Sequence, residues 1–213
     1  MKIGRFARLG AVIALAAATT FSTVAPAQAH TAHHAPGTAS LATLLAKDGA
    51  GFDRNPHDFD ILDNAVTTVL KNKPTSSVAV LTDGKVALTA FLPTDQAFRR
   101  LAYDLTGHWY RSEAKVFSVL AGRLGVNTIE NVLLYHVVPG ATITYKQARA
   151  ANGATLTTAL SGGTIKVKVV RGHVTLVDAD HDDPNPVVVR KNLNKGNLQI
   201  AHGISQVLRP VDL

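Results

Sequence analysis

Hydrophobic positions recur with two different periods along this chain. In residues 58–71, Ile61, Leu62, Ala65, Val66, Val69 and Leu70 fall at i, i+1, i+4, i+5, i+8 and i+9, which is one face of a helix. Asp60 is placed to cap its first turn, and Pro74 cannot continue it. Residues 78–82 and 85–92 are apolar runs flanking Asp83-Gly84. That dipeptide tolerates positive φ and predicts a β-hairpin. Thr94 is the expected N-cap of a second helix, with Ala97, Phe98, Leu101, Ala102 and Leu105 inward and Gly107 as its stop. Residues 112–124 repeat the pattern with Val116, Phe117, Leu120 and Leu124, and Gly125 ends it. Asn127, followed three residues later by Glu130, reads as a capping box that opens a short further helix.

The period changes after residue 135. Pro139-Gly140 marks a turn. Ile165, Val167 and Val169 alternate with Lys166 and Lys168, as in a half-buried strand with its lysines in water. Arg171-Gly172 turns into a second arm at 174–178, and residues 187–189 and 204–208 read as two more short strands. Helices and one hairpin come first, then mostly strands. That order predicts an α+β fold rather than a regular βαβ alternation.

Composition narrows the classes. A chain of 213 residues with 46% hydrophobic and 17% charged residues is long enough for one domain and too apolar for disorder. It has no cysteine, which excludes disulfide frameworks, thiol nucleophiles and Cys-based metal centres. Residues 1–29 have a basic n-region (Lys2, Arg5, Arg8), an apolar run and Ala27-Gln28-Ala29. This is the order of a secretory signal peptide, so a secreted, extracellular location is expected. The segment carries three positive charges and no acid, so its removal takes the formal charge from +7 to +4. Residues 30–40 are small, polar and Pro/Gly-containing, and are expected to be a flexible leader before a single domain at 41–213. No later stretch is long and apolar enough to span a membrane. No basic run or nucleic-acid motif is present, so no nucleic-acid partner is expected.

Three blocks resemble the fasciclin (FAS1) domain family. The first is Thr89-Ala90-Phe91-Leu92-Pro93-Thr94-Asp95-Gln96-Ala97-Phe98. The second is Leu133-Leu134-Tyr135-His136-Val137-Val138-Pro139-Gly140, similar to the family's central Tyr-His block. The third runs from Ile200 through His202 to Pro210 and is similar to its closing motif. They stand in the family's order and span most of 41–212. The resemblance implies a wedge of short strands with packed helices. It also implies adhesion or surface interaction without catalysis or cofactor, and a secreted bacterial single-domain member. The implied partner is a cell-surface or extracellular-matrix protein or a wall polymer. The alternative is an extracellular module for a small molecule or a metal.

Five features are candidate sites. The resemblance links Tyr135-His136 to adhesion; in an extended segment the two side chains would face opposite ways. Against this, a histidine inside an apolar run is usually satisfied internally, with both ring nitrogens bonded. Trp109-Tyr110 is either a recognition patch or a lid on the core. Lys166 and Lys168, with Arg171, form a basic face, which is either a soluble edge or a dock for anionic polymers. Asp178, Asp180 and Asp182 match the opening of a calcium loop, but Asp183 and Val189 stand where it needs glycine and glutamate, so no metal site is expected. Cleavage would expose His30 near His33 and His34, a chelating terminus without the fixed site that copper catalysis needs. No G-x-S-x-G, P-loop, G-x-G-x-x-G or H-E-x-x-H occurs, and the chain is not expected to be an enzyme.

Overall fold

Two strands explain why parts of the sequence do not alternate. In the computed structural model, which describes residues 35–48 and 51–213, every residue of β1 (Leu88–Pro93) and β7 (Gln199–Ile204) is buried. A strand covered on both faces reads as a continuous run. The two pair in parallel, from Leu88↔Gln199 to Pro93↔Ile204. β2 (Val137–Pro139) flanks β1, and β6 (Val188–Leu193) flanks β7, giving the order β2-β1-β7-β6. A second, antiparallel sheet has the order β3-β4-β5, from β3 (Thr155–Thr157), β4 (Thr164–Val170) and β5 (His173–Val177). A bridge between Thr175 and Val187 joins the two sheets.

The helices are α1 (Leu41–Leu45), α2 (Asp60–Asn72), α3 (Asp95–Thr106), α4 (Glu113–Tyr135) and α5 (Tyr145–Ala150). The larger core lies among α2, α3, α4 and the first sheet, around Ile61, Val69, Leu92, Leu101, Val116 and Leu133. A second cluster, with Phe91, Tyr135, Ile165, Leu176 and Leu208, packs both sheets together. Each of these side chains contributes about 1.5–3 kcal/mol by leaving water. The fold is α+β. The expected helical faces of α2 and α3 are the buried ones. Gly107 ends α3 in the left-handed region, and Gly125 (φ 70°, ψ 164°) breaks α4 between its two predicted halves. The lysines of β4 point outward, and Arg171-Gly172 forms its tight turn at positive φ.

Several expectations are corrected. Residues 77–82 are a 3₁₀ helix, not a hairpin arm. The Ser76 hydroxyl accepts from Val78 N–H, which puts Val78 and Leu81 inward one turn apart. Both edges of β1 are taken by β2 and β7, so no place remains for a hairpin partner. Asp60 is the first residue of α2 and not its cap; the residue before the helix, Phe59, gives no side-chain bond. The last strand is 199–204 rather than 204–208, because pairing with β1 ends at Ile204. α5 and β3 had no periodic signal, being short and half-exposed. The end of the expected leader is tied down: Gly37 N–H donates to Gly196 O, Leu198 N–H donates to Gly37 O, and Ser40 caps α1. The signal-peptide segment and His30, His33 and His34 lie outside the described residues.

Gly84 is needed for a close approach rather than a hairpin. A Cβ there would sit 1.8 Å from the Thr38 carbonyl oxygen. Gly84→Ala should cost about 1–3 kcal/mol through forced displacement of the 38–40 segment. Urea titration would read this as a lowered midpoint at unchanged slope. A variant as stable as the parent would show that the approach is not tight.

Candidate functional site

Tyr135 and His136 end a helix instead of lying on an extended segment. Tyr135 is the last residue of α4 and His136 is its C-cap. Both are buried, at 1% and 4% exposure. The Tyr135 hydroxyl donates to Thr164 O at 2.6 Å, and burial raises its pKa to about 12. His136 Nε2 accepts from Leu208 N–H at 2.9 Å, so the proton is on Nδ1, which donates to Val132 O at 2.7 Å. Burial lowers its pKa to about 4, against the smaller opposing effect of the Val132 carbonyl. The pair is thus a tie between α4, β4 and the closing segment. Of the two readings of this pair, the internal one describes its side chains: both His136 ring nitrogens are bonded, and neither side chain reaches the surface. His202 does the same work in β7. Its Nδ1 accepts from Asn192 N–H at 3.2 Å and its Nε2 donates to Ile143 O at 2.9 Å.

The acidic loop is organised around a guanidinium. Arg209 Nη1 lies 2.8 Å from Asp104 and 3.1 Å from Asp180, and pairs also with Asp183. Asp178 accepts from Arg209 N–H at 2.9 Å, and burial raises its pKa to about 6. Asp182 is exposed, and its N–H donates to Asp180. The calcium geometry suggested by Asp178, Asp180 and Asp182 therefore does not form: two of the three carboxylates are turned inward onto Arg209 and its backbone.

A second acidic group was not visible as a cluster in the sequence. Asp58, Asp95 and Glu113 are all buried, with carboxylate oxygens within 4.8 Å of one another. Asp95 Oδ1 accepts from Ile61 N–H at 3.0 Å, so the Pro-Thr-Asp motif at the start of α3 caps the start of α2. Asp95 N–H donates to the Asp58 carbonyl at 3.1 Å. Burial, and then the nearby Asp58 side chain, raise the Asp95 pKa to about 9, so Asp95 keeps its proton at neutral pH. Glu113 accepts from Arg99 Nη2 at 2.7 Å and from Asp53 N–H at 2.8 Å. One proton and one guanidinium offset two of the three carboxylate charges.

The exposed candidates remain. Trp109 is 44% exposed and Tyr103 is 52% exposed, with ring centroids 5.9 Å apart in an edge-to-face pair. Beside them in sequence, His108 and Tyr110 stack edge to face at 4.6 Å. All but Tyr103 belong to the loop between α3 and α4. Lys166 and Lys168 point outward from β4, opposite Val177 and Thr175, and neither forms an ion pair among the described residues. The enclosed apolar space between α2, α3 and α4, lined by Ile61, Phe98, Phe117, Leu124 and Ile129, measures about 30 Å³. A small-molecule pocket needs about 300 Å³ or more.

The fasciclin domain family model matches residues 63–210. Among solved structures, the chain is similar to a FAS1 domain pair from the insect cell adhesion molecule fasciclin I, with a TM-score of 0.53 and 14% identity. That match covers 81% of this chain and 51% of the other, so this chain spans about half of the domain pair. At that identity the likeness concerns the fold alone. No curated protein matches the chain.

Two stability outcomes follow from the buried groups. Asp95 binds its proton more tightly folded than unfolded, so its stabilising effect is complete below the unfolded carboxylate pKa and is lost as pH rises through the folded value. Asp95→Asn keeps an acceptor for Ile61 N–H and removes that ionisation. Urea titrations from pH 5 to 9 should show the parent losing stability with rising pH and the variant losing less; parallel curves would refute the raised pKa of Asp95. His136→Ala strands Leu208 N–H in the core and leaves the space of the ring unfilled, while Val132 O keeps the backbone N–H of residue 136; it should cost about 2–4 kcal/mol by the same titrations. A loss under about 0.5 kcal/mol would return His136 to the list of contact residues.

Proposed function

Because the chain belongs to the fasciclin domain family, we propose that it acts as an exported, non-catalytic adhesion or surface-interaction domain. Residues 1–29 serve as its export signal, and residues 41–213 as the domain itself. The partner is a cell-surface or matrix protein, or a wall polymer.

One observation carries this reading: the exposed Tyr103–Trp109 pair at the α3–α4 junction. Large aromatic side chains lose little entropy on docking and supply much of the energy at interfaces. The family's tyrosine and histidine are locked inside, which leaves these rings as the described aromatic pair free to meet a partner. A non-catalytic role is supported by the state of the buried histidines. His136 and His202 each use both ring nitrogens on backbone groups, and burial holds both neutral.

Co-sedimentation of the full chain with cells and wall material of its source organism, across a salt series, tests the proposal. Saturable binding that survives high salt is expected, and Trp109→Ala should weaken it about tenfold or more. Replacing Lys166 and Lys168 with alanine should reduce only the salt-sensitive part, since exposed charges are screened. Absence of binding at every salt concentration would reject wall and surface adhesion.

A further inference from the structure

Three arginines come together where the 53–54 segment meets the start of α4. Arg54, Arg99 and Arg111 line one cleft of about 580 Å³, together with Asp53 and Ser112. We infer that this cleft binds an oxyanion of the phosphate class. The inference stands apart from the aromatic pair and does not rest on the adhesion reading.

The three guanidiniums are not equivalent, and the difference matters. The Arg99 side chain is only 11% exposed, and its Nη2 is fixed on Glu113 at 2.7 Å. Glu113 is itself fixed by Asp53 N–H. Arg99 is therefore a preorganised base for the cleft, with little side-chain freedom left to lose on binding. Its Nε is buried and has no acceptor in the structure. A buried donor without a partner is uncommon and adds to the positive potential at the floor of the cleft. Arg54 and Arg111 are exposed, and neither has an ion pair or side-chain hydrogen bond among the described residues. They form the adjustable part of the site.

Charge and shape select the ligand. Three guanidiniums face one lining carboxylate, Asp53, and the buried Glu113 behind Arg99. Asp53 Oδ1 already accepts from Asn55 N–H within its own turn. Ser112 is the N-cap of α4, so the cleft also lies at the positive end of the dipole of a helix that runs twelve residues before its break at Gly125. A single carboxylate matches one guanidinium fork and would leave the other two unused. A tetrahedral phosphate, doubly charged as the free ion and singly charged in a diester, offers oxygens in several directions and suits the two free forks of Arg54 and Arg111 above the fixed Arg99. The cleft is open and larger than one ion, so it admits a free phosphate or a phosphate carried along a polymer.

Equilibrium dialysis of the full chain against labelled inorganic phosphate, at constant ionic strength in chloride, tests this. One saturable site is expected. The double variant Arg54→Gln/Arg111→Gln should bind at least tenfold more weakly, with an unchanged thermal midpoint because neither side chain has an internal partner. Competitors separate the sources. Displacement by poly(glycerol phosphate) at lower phosphate concentration than inorganic phosphate assigns the site to polymer-borne phosphodiesters. Displacement by inorganic phosphate alone assigns it to the free ion. Retention that does not saturate, that is equal in parent and double variant, or that acetate abolishes as well as phosphate does, would overturn the inference.

Discussion

The parallel pairing of β7 with β1 is the constraint on which the rest depends. It joins Leu88–Pro93 to Gln199–Ile204, more than a hundred residues later, and both strands are wholly buried. A buried strand must satisfy every polar group it carries. Gln199 does so completely: Leu41 N–H donates to its Oε1, and its Nε2 donates to the carbonyls of Val80 and Asp83. Those three bonds place α1 and the 3₁₀ turn before β1. His202 places the 142–144 loop and β6 by the same means. The closing strand therefore positions the start of the domain, its middle and its own neighbour.

This explains why the most recognisable residues of the chain turn out to be ties rather than contacts. Asp95 begins one helix and caps another. His136 ends α4 and holds Leu208. Arg209 gathers three carboxylates from two segments, and its own N–H donates to a fourth, Asp178. In each case one polar side chain meets backbone or charge from a distant part of the sequence. Such a side chain cannot be exchanged for an apolar one without leaving several buried groups unsatisfied. A motif of this kind marks where the fold is knotted together, and says little about what the surface meets.

Elements with a strong period were legible in the sequence. α2, α3, the two halves of α4 and the β4–β5 hairpin announce themselves through their apolar faces and glycine stops. The Asp83-Gly84 reading failed for a non-local reason. The dipeptide satisfies the local rule for a hairpin, but β2 and β7 occupy both edges of β1, and the glycine is there to let Thr38 pass. The β7 boundary was misplaced because a strand buried on both faces has no alternation to count. The candidate site was less legible than the fold. Trp109 stood out as a loop aromatic, but its partner Tyr103 reads as one more residue on a helix face. The arginine cleft was invisible, because Arg54, Arg99 and Arg111 share no spacing and are joined only by the return of the chain.

The distribution of hydrogen-bonding capacity then separates scaffold from surface. Inside the domain the motif side chains are spent on one another and on the backbone, and burial holds the histidines neutral and Asp95 protonated. Besides the lysines of β4, one set of groups with both exposure and unused capacity gathers near the junction of α3 and α4: the rings of Tyr103 and Trp109, the guanidinium of Arg111, and Arg54 across the cleft. That junction is anchored from below by the Asp58–Asp95–Glu113 group and by Arg99. A rigid base carrying adjustable side chains is what low-cost recognition requires, since only the tips must be ordered on binding. The buried carboxyls thus connect the two halves of the argument. Asp95 ties α2 to α3 and Glu113 ties Arg99 to the 53–54 segment, and that braced corner lets a short loop present aromatic and cationic groups together.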